Sequence, residues 1–389
     1  MNAGPAEPEP YRGFEQGPIR PPSEARSLLV RVTRNCPWNR CTFCPVYKDA
    51  RFSFRPVEHV KRDIDLVHAH VQKLEELANP SEAPDPGAVQ TLVDTLPRDE
   101  QAPFAAALNW LCSGRKKSVF LQDANSLAVR VVDLLEILEH LTTRFPFIDR
   151  ITSYARSQTV AARRDADLRA LRGAGLDRVH IGLESGSDEI LRLVQKGATR
   201  EQHVSAGRKI KQAGMELSEY VMPGLGGRAH SKRHAHETAD ALKQINPDFI
   251  RLRTLAIPPG APLYETWQAG RFEKMGDVEI AQELLWLIER LDGITSKVKS
   301  DHVLNLLPEL QGTLPQDKPR MTALLDTFLS LDSRRQRLFQ VGRRVGVLTR
   351  LRDLEDAARV EQAETVCRRL GVTADNVDQI VDRIMMTYV

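Results

Sequence analysis

Six short runs of β-branched and aliphatic residues alternate with six amphipathic segments of helical length, and this alternation constrains the fold more than any other feature. The strand-like runs are Leu28 to Val32, Ser118 to Leu121, Arg150 to Tyr154, Arg178 to Leu183, Glu216 to Met222 and Phe249 to Leu255. The spacing predicts helices over 57–77, 129–144, 166–173, 188–195, 201–213 and 231–244. Strands separated by helices run parallel, joined by right-handed crossovers, and six such units close economically as a barrel or an open partial barrel. Functional groups are then expected at the C-terminal ends of the strands. Gly173 and Gly175 end one helix, Gly214 ends another, and Ser187-Asp188-Glu189 begins a third.

The flanks read differently. Residues 1–26 hold six prolines and no regular pattern, and are expected to form a flexible leader. Prolines and glycines over 78–100 mark an insertion, about 78–113, with a helix at 102–112. The barrel is expected over 27–265 and a helical C-terminal extension over 266–389, with helices near 263–269, 278–292 and 320–331 and a long helical tail from Arg334 to Tyr388. Hydrophobic residues make up 41%, enough for a substantial core, and the net charge of +3 is too small to imply a nucleic-acid partner. No apolar run spans a bilayer and the N-terminus has no apolar signal core, so a cytoplasmic address without a membrane partner is expected.

Three of the five cysteines lie within nine residues, in Asn35-Cys36-Pro37-Trp38-Asn39-Arg40-Cys41-Thr42-Phe43-Cys44-Pro45. Too few cysteines are present for a disulfide scaffold, and the clustering suggests a metal site. Three thiolates separated by four and two residues suit three corners of an iron-sulfur cube, leaving one iron open. A structural zinc site is the alternative, but it needs a fourth ligand; Cys112 and Cys367 are isolated and His59 is the nearest histidine. Burial as ordinary core thiols fits poorly with a loop rich in Pro, Asn and Arg.

This loop, placed directly after the first strand with Phe43 before the last cysteine, resembles that of the radical S-adenosylmethionine (radical SAM) enzymes. The family's usual spacing is three and two residues, against four and two here. The resemblance implies an α/β fold, a partial (β/α)6 TIM-like barrel with a C-terminal helical extension. It further implies that Cys36, Cys41 and Cys44 hold a [4Fe-4S] cluster whose open iron is chelated by S-adenosylmethionine. Electron injection then releases a 5′-deoxyadenosyl radical that abstracts hydrogen from the substrate.

Further segments match over about residues 27–265. Phe120-Leu121-Gln122-Asp123-Ala124-Asn125 stands where the family commonly has a Gly-Gly-Glu turn receiving the methionyl amine, which makes Gln122 a candidate; a helix-entry turn capped by Asp123 or Asn125 is the alternative. Ser153 and Arg156, in Ile151-Thr152-Ser153-Tyr154-Ala155-Arg156, occupy positions that line the cofactor in similar enzymes, and an Arg there can fork onto a carboxylate or be a surface residue. His180-Ile181-Gly182-Leu183-Glu184-Ser185-Gly186-Ser187 is the most specific match after the cysteines. It implies Glu184, Ser185 and, twelve residues after Glu184, Lys196 as cofactor contacts, against a solvated ion pair. Met222-Pro223-Gly224-Leu225-Gly226-Gly227 ends the fifth strand. The sixth, Arg251-Leu252-Arg253-Thr254-Leu255, falls where related proteins bind adenine through backbone groups, so Leu252 is a candidate; Arg251 and Arg253 share a face that meets either substrate or solvent.

Auxiliary cysteine-ligated clusters are not expected with only Cys112 and Cys367 left, and a leader of about 26 residues is too short for a corrinoid domain. Seven arginines over 334–352 stand beside eight acidic residues over 353–389, which favours salt-bridged helices over RNA contact. His230, His234 and His236 are expected at the surface.

The resemblance therefore implies a radical SAM enzyme, with [4Fe-4S] and S-adenosylmethionine as cofactors, an unidentified substrate and a reductant such as a flavodoxin or ferredoxin as partners, and no assigned catalytic side chain. Nucleic acid is a partner that the sequence allows but does not favour. The competing expectation is a non-catalytic metal-binding or RNA-interaction protein that uses the cysteine loop structurally and the Arg-rich tail for contact.

Overall fold

A computed structural model describes residues 9–77, 85–114 and 117–388. Contacts divide the chain into two units: Met1–Pro37 with Asp49–Val179 and Ala213–Met215, and Trp38–Lys48 with His180–Gln212 and Glu216–Val389.

The first unit holds β1 (Leu28–Arg31), the paired β2 (Thr33–Arg34) and β3 (Ser53–Phe54), α1 (Val57–Glu76), α2 (Pro86–Thr95), α3 (Arg98–Leu111), β4 (Ser118–Gln122), α4 (Val131–Arg144), β5 (Arg150–Ala155), α5 (Ser157–Ala162) and α6 (Asp165–Gly173). Strands β1, β4 and β5 are parallel neighbours, with Val30 opposite Leu121 and Leu121 opposite Ser153. Helix α1 buries Val60, Ile64, Val67, Val71 and Leu74, a repeat of four and three that lines one face. The fully buried Trp110 and Phe145 meet edge to face at 5.0 Å, and each contributes about 2–3 kcal/mol by burial.

Strand β6 (Leu176–Glu184) carries the chain into the second unit. There follow α7 (Asp188–Leu193), α8 (Arg200–Gln212), β7 (Glu216–Val221), α9 (Gly227–Ile245), β8 (Phe249–Leu252), α10 (Leu263–Gln268), α11 (Asp277–Arg290), β9 (Lys297–Lys299), β10 (Gly312–Thr313), α12 (Lys318–Leu329), α13 (Ser333–Arg344), α14 (Ala357–Arg369) and α15 (Val377–Met385). Strands β7, β8 and β9 are parallel, and β10 returns antiparallel to β9. The core joins Val221, Ile250, Leu252 and Val298 of these strands to Ala239 of α9, Leu284 and Ile288 of α11, and Phe328 and Phe339 of α12 and α13.

All six expected strands are present, and the chain has the mostly parallel α/β fold of a partial TIM-like barrel. The expected region of helices alone is corrected by β9 and β10: three and two residues with lysines are too short and polar to register as strands. The expected continuous tail breaks into α13, α14 and α15 at the positive-φ glycines Gly346 and Gly371. Residues 1–8 of the leader and 78–84 of the insertion lie outside the described residues. Residues 9–26 are anchored rather than flexible: Tyr11 donates to Asp63 at 2.7 Å, Glu15 pairs with Arg34 at 2.6 Å, and the fully buried Glu24 pairs with Arg150 at 3.2 Å. Proline suppresses regular pairing without preventing such docking. Among the described residues no helix is long and apolar enough to cross a membrane.

Three of the seven tail arginines meet acids or carbonyls. Arg344 pairs with Asp277 at 2.6 Å in the core, Arg334 reaches Glu364 at 2.5 Å, and Arg335 donates to the Leu354 carbonyl at 3.3 Å.

Candidate cofactor site

The cysteine loop is held at both ends. In the first unit, the buried Asp123 accepts from Arg31 Nε and Nη2 at 3.0 and 2.8 Å and from the Asn35 backbone N–H at 3.2 Å, one residue before Cys36. Such charge-assisted bonds fix the loop entry, where Asn35 adopts φ +66°.

In the second unit, residues 38–48 dock on the segment after α7. Trp38 Nε1 donates to the Gln195 carbonyl at 2.7 Å, the Thr42 N–H donates to Val194 at 3.0 Å, and the Thr42 carbonyl accepts from Leu263 at 2.8 Å. Lys48 Nζ donates to the carbonyls of Asn39 and Cys41 at 2.9 and 3.0 Å, and the Asn39 amide bonds the Tyr47 carbonyl. Phe43 packs against Ile190, Val194, Leu225 and Leu263. Gly197 has φ +66°, and a Cβ there would lie 2.1 Å from the Trp38 ring. Gly197→Val is therefore expected to cost about 2 kcal/mol and to expose Trp38, read as a red-shifted tryptophan emission and an earlier urea midpoint.

Lys196, one residue earlier, pairs through Nζ with Glu184 Oε1 at 3.0 Å and lies 5.8 Å from the Phe43 ring centroid. Glu184 ends β6 at φ +62° and its side chain turns back over Gly182, where a Cβ would meet Glu184 Oε1 at 2.2 Å and Lys196 Nζ at 2.9 Å. That close approach requires glycine. The Glu184 carbonyl accepts from Met222 N–H at 3.0 Å and faces His234 Nε2 at 3.1 Å. Ser185 is buried and uses Oγ to accept from the Ser187 N–H at 3.1 Å, which shapes the turn from within. A Cβ at Gly186 would lie 2.4 Å from the Glu237 carbonyl, so α9 crosses here at backbone distance.

Two features of this neighbourhood were not foreseen. His234 is buried, contrary to the surface placement expected from its charged surroundings. Its Nδ1 faces Glu283 Oε1 at 3.0 Å, and Glu283 also accepts from Gly224 N–H at 2.8 Å and Ser231 Oγ at 2.7 Å. Burial opposes the charge on His234, but the Glu283 charge and hydrogen bond, with the Glu184 carbonyl, outweigh it and raise its pKa. Glu219 of β7 is fully buried with no hydrogen-bond partner on either oxygen among the described residues. Burial, then the Glu184 charge, push its carboxyl well above the usual range against the pull of Lys196, so its protonated form is favoured. Periodicity carried neither signal, because both groups sit at positions that an apolar residue would fill.

The other candidates have local engagements. Gln122 does not present its amide to a ligand: Oε1 accepts from Gly17 N–H at 2.8 Å and Nε2 donates to Gly17 and Ile19 carbonyls at 3.1 and 2.7 Å, so it pins the N-terminal segment. Ser153 is fully buried and donates to the Tyr154 carbonyl at 3.1 Å. Arg156 bonds Gln158 Oε1 through Nε and Nη2 at 3.2 and 2.6 Å, while its N–H donates to Asn125 Oδ1 at 3.0 Å. The Leu252 side chain is in the core and its carbonyl accepts from Asn305 Nδ2 at 2.8 Å. Among the candidates, the structure brings together Glu184 and Lys196.

Cys36, Cys41 and Cys44 are free thiols, with Cys41 buried and the others half-buried. Among the described residues no three His, Cys, Asp or Glu side chains are gathered as a metal-binding group. The donor chemistry of the loop nonetheless fits an iron-sulfur cluster: three thiols, none in a disulfide, on one short segment tied down by backbone bonds.

The sequence model of the radical SAM superfamily matches residues 106–240. The tRNA uridine(34) acetyltransferase of Methanocaldococcus infernus is 21% identical over 277 residues, covering 67% of this chain and 49% of that protein. The 4′-phospho-dehydrooxetanocin synthase of Priestia megaterium is 26% identical over 240 residues, covering 57% of this chain and 27% of that protein. The chain thus spans about half or less of the length of these relatives. Among solved structures, the cobalamin-dependent S-adenosylmethionine radical enzyme OxsB is 14% identical with a TM-score of 0.46, covering 94% of this chain and 55% of that one. Elp3 of M. infernus is 18% identical with a TM-score of 0.40, covering 48% and 49%.

The mostly parallel α/β fold and the family match support an enzyme. Residues 106–240 thus match the radical SAM superfamily, whose enzymes use a [4Fe-4S] cluster and S-adenosylmethionine.

Proposed function

We propose that Cys36, Cys41 and Cys44 hold the cluster and that the chain initiates radical chemistry on a substrate bound at the C-terminal ends of its strands. When bound, the cluster and S-adenosylmethionine supply reductive cleavage to a 5′-deoxyadenosyl radical, which abstracts hydrogen from that substrate. The observation that carries this reading is the docking of residues 38–48 on the segment ending at Gly197, which sets the Glu184–Lys196 pair against Phe43, beside Cys44.

Lys196 offers its ammonium to the methionyl carboxylate, and Glu184 accepts from a ribose hydroxyl or an amine. Gly182 lets the Glu184 carboxylate and the Lys196 ammonium lie against the β6 backbone, which holds the pair in place. Lys196→Met is expected to weaken S-adenosylmethionine binding about tenfold in equilibrium dialysis against the cluster-loaded protein, the loss of one charge-assisted contact. An unchanged affinity would remove Lys196 from the site.

A second reading concerns the substrate. The M. infernus relative is named for a tRNA, which favours an RNA substrate for this chain as well. A low-potential reductant of the flavodoxin or ferredoxin kind completes the proposed partners.

A further inference from the structure

The register of β7, β8 and β9 separates two faces. Val221, Ile250, Leu252 and Val298 pack into the core with α9 and α11. The alternate positions form rows on the other face: Ser218 opposite Phe249 and Phe249 opposite Lys297, then Tyr220 opposite Arg251 and Arg251 opposite Lys299. Two residues further along, Arg253 and Asp301 continue that face beyond the C-terminal ends of β8 and β9.

This end of the face is cationic. Arg251 is 4% exposed, donating through Nε to Ser218 Oγ at 3.1 Å and through Nη1 to Asp301 Oδ2 at 2.6 Å. Asp301 thereby balances one cation, while Lys299 and Arg253 remain; Lys299 reaches a neutral partner, Gln311, at 3.4 Å. Arg253 is exposed, and its guanidinium makes no hydrogen bond or ion pair among the described residues. His302 follows Asp301 and its Nδ1 accepts from the Leu304 N–H at 3.2 Å, which leaves Nε2 as the protonated, donating nitrogen. Burial, with the Arg253 charge nearby, holds His302 down to about 4, so at neutral pH it is an uncharged donor.

A solvated surface does not need a buried arginine braced on a serine and an aspartate. A bracing pair, a forked cation without a partner and a neutral N–H donor at the strand ends are the donor set that holds a dianionic group. We propose that Arg253, supported by Arg251, Lys299 and His302, binds a phosphate group of the substrate. The inference deepens the substrate half of the proposed function and rests on its placement of the substrate at the strand ends. The phosphate comes from either a small phosphorylated metabolite or an RNA strand.

The test uses the full-length, cluster-loaded protein without S-adenosylmethionine or reductant, so that it reads binding and not turnover. Ribose 5-phosphate, ribose and a single-stranded RNA of about twelve nucleotides are titrated by calorimetry at fixed ionic strength. Ribose 5-phosphate is expected to bind where ribose does not, with Arg253→Gln weakening it about tenfold and Arg253→Lys less, at unchanged thermal midpoint because Arg253 is exposed. Competition by the RNA identifies the strand as the source, and its failure to compete identifies a metabolite; either supports the phosphate site. Equal binding of ribose and ribose 5-phosphate, no binding of any of the three, or an unchanged affinity in Arg253→Gln would overturn it. Radical initiation is assayed separately, so a protein that binds phosphate but does not cleave S-adenosylmethionine loses the proposed function and keeps this site.

Discussion

Cys41→Ala is expected to purify anaerobically without the brown colour and broad absorption near about 400 nm that thiolate-to-iron charge transfer gives. The chain offers three thiols in the loop and isolated ones at Cys112 and Cys367, so nothing replaces the lost ligand. Cys41 is the most enclosed of the three, at 8% exposure, and its carbonyl is tied to Lys48, so truncation there removes a ligand without freeing the segment around it. Iron and sulfide content measured after reconstitution should fall to near background, while Cys112→Ala, an exposed thiol outside the loop, keeps the full complement. A Cys41→Ala protein with an intact cluster would sink the ligand assignment.

Glu283→Ala is expected to lose about 3 kcal/mol in urea unfolding, the typical cost of removing one partner of a buried pair. Glu283 satisfies three groups at once: His234 at 3.0 Å, Ser231 at 2.7 Å and the Gly224 N–H at 2.8 Å. Its loss strands all three in a site that water does not reach. The deficit is pH-dependent with a defined sign. His234 has a pKa raised above its ordinary 6.5, so the stability it gains from Glu283 is fully present below that value and is lost as pH rises through the raised one. The gap between wild type and variant should therefore narrow as pH rises above 6.5. A gap that widens as pH rises would show that His234 is not the charged partner. His234 also faces the Glu184 carbonyl, so the variant is expected to loosen the Glu184–Lys196 pair and weaken S-adenosylmethionine binding beyond what its stability alone predicts.

The periodic parts of the molecule were readable from the chain because hydrophobic spacing and burial are the same fact. The apolar repeat of α1 and the aliphatic strands β4 to β8 fall where the sequence places them. The cysteine loop stood out as three thiols within nine residues, and Glu184 and Lys196, twelve residues apart, pair at 3.0 Å. Short elements escaped: Lys297-Val298-Lys299 forms β9 because β8 offers it an edge, a tertiary cause with no local signature. The anchored N-terminal segment escaped for a similar reason, since Gln122 and Asp63 supply its bonds from distant positions. That same engagement ties the Gln122 side chain to the N-terminal segment. Buried polar groups were the hardest to foresee: His234, Glu283 and Glu219 look like surface residues until the partners or the lack of them are seen.

The central claim is radical initiation, and the most direct measurement is 5′-deoxyadenosine by mass spectrometry after anaerobic reconstitution with iron and sulfide and addition of dithionite and S-adenosylmethionine. Its appearance with the wild-type chain and its loss in Cys44→Ala are expected. A wild-type protein that carries a full cluster yet forms none would contradict radical initiation, leaving the fold and the metal site without the chemistry.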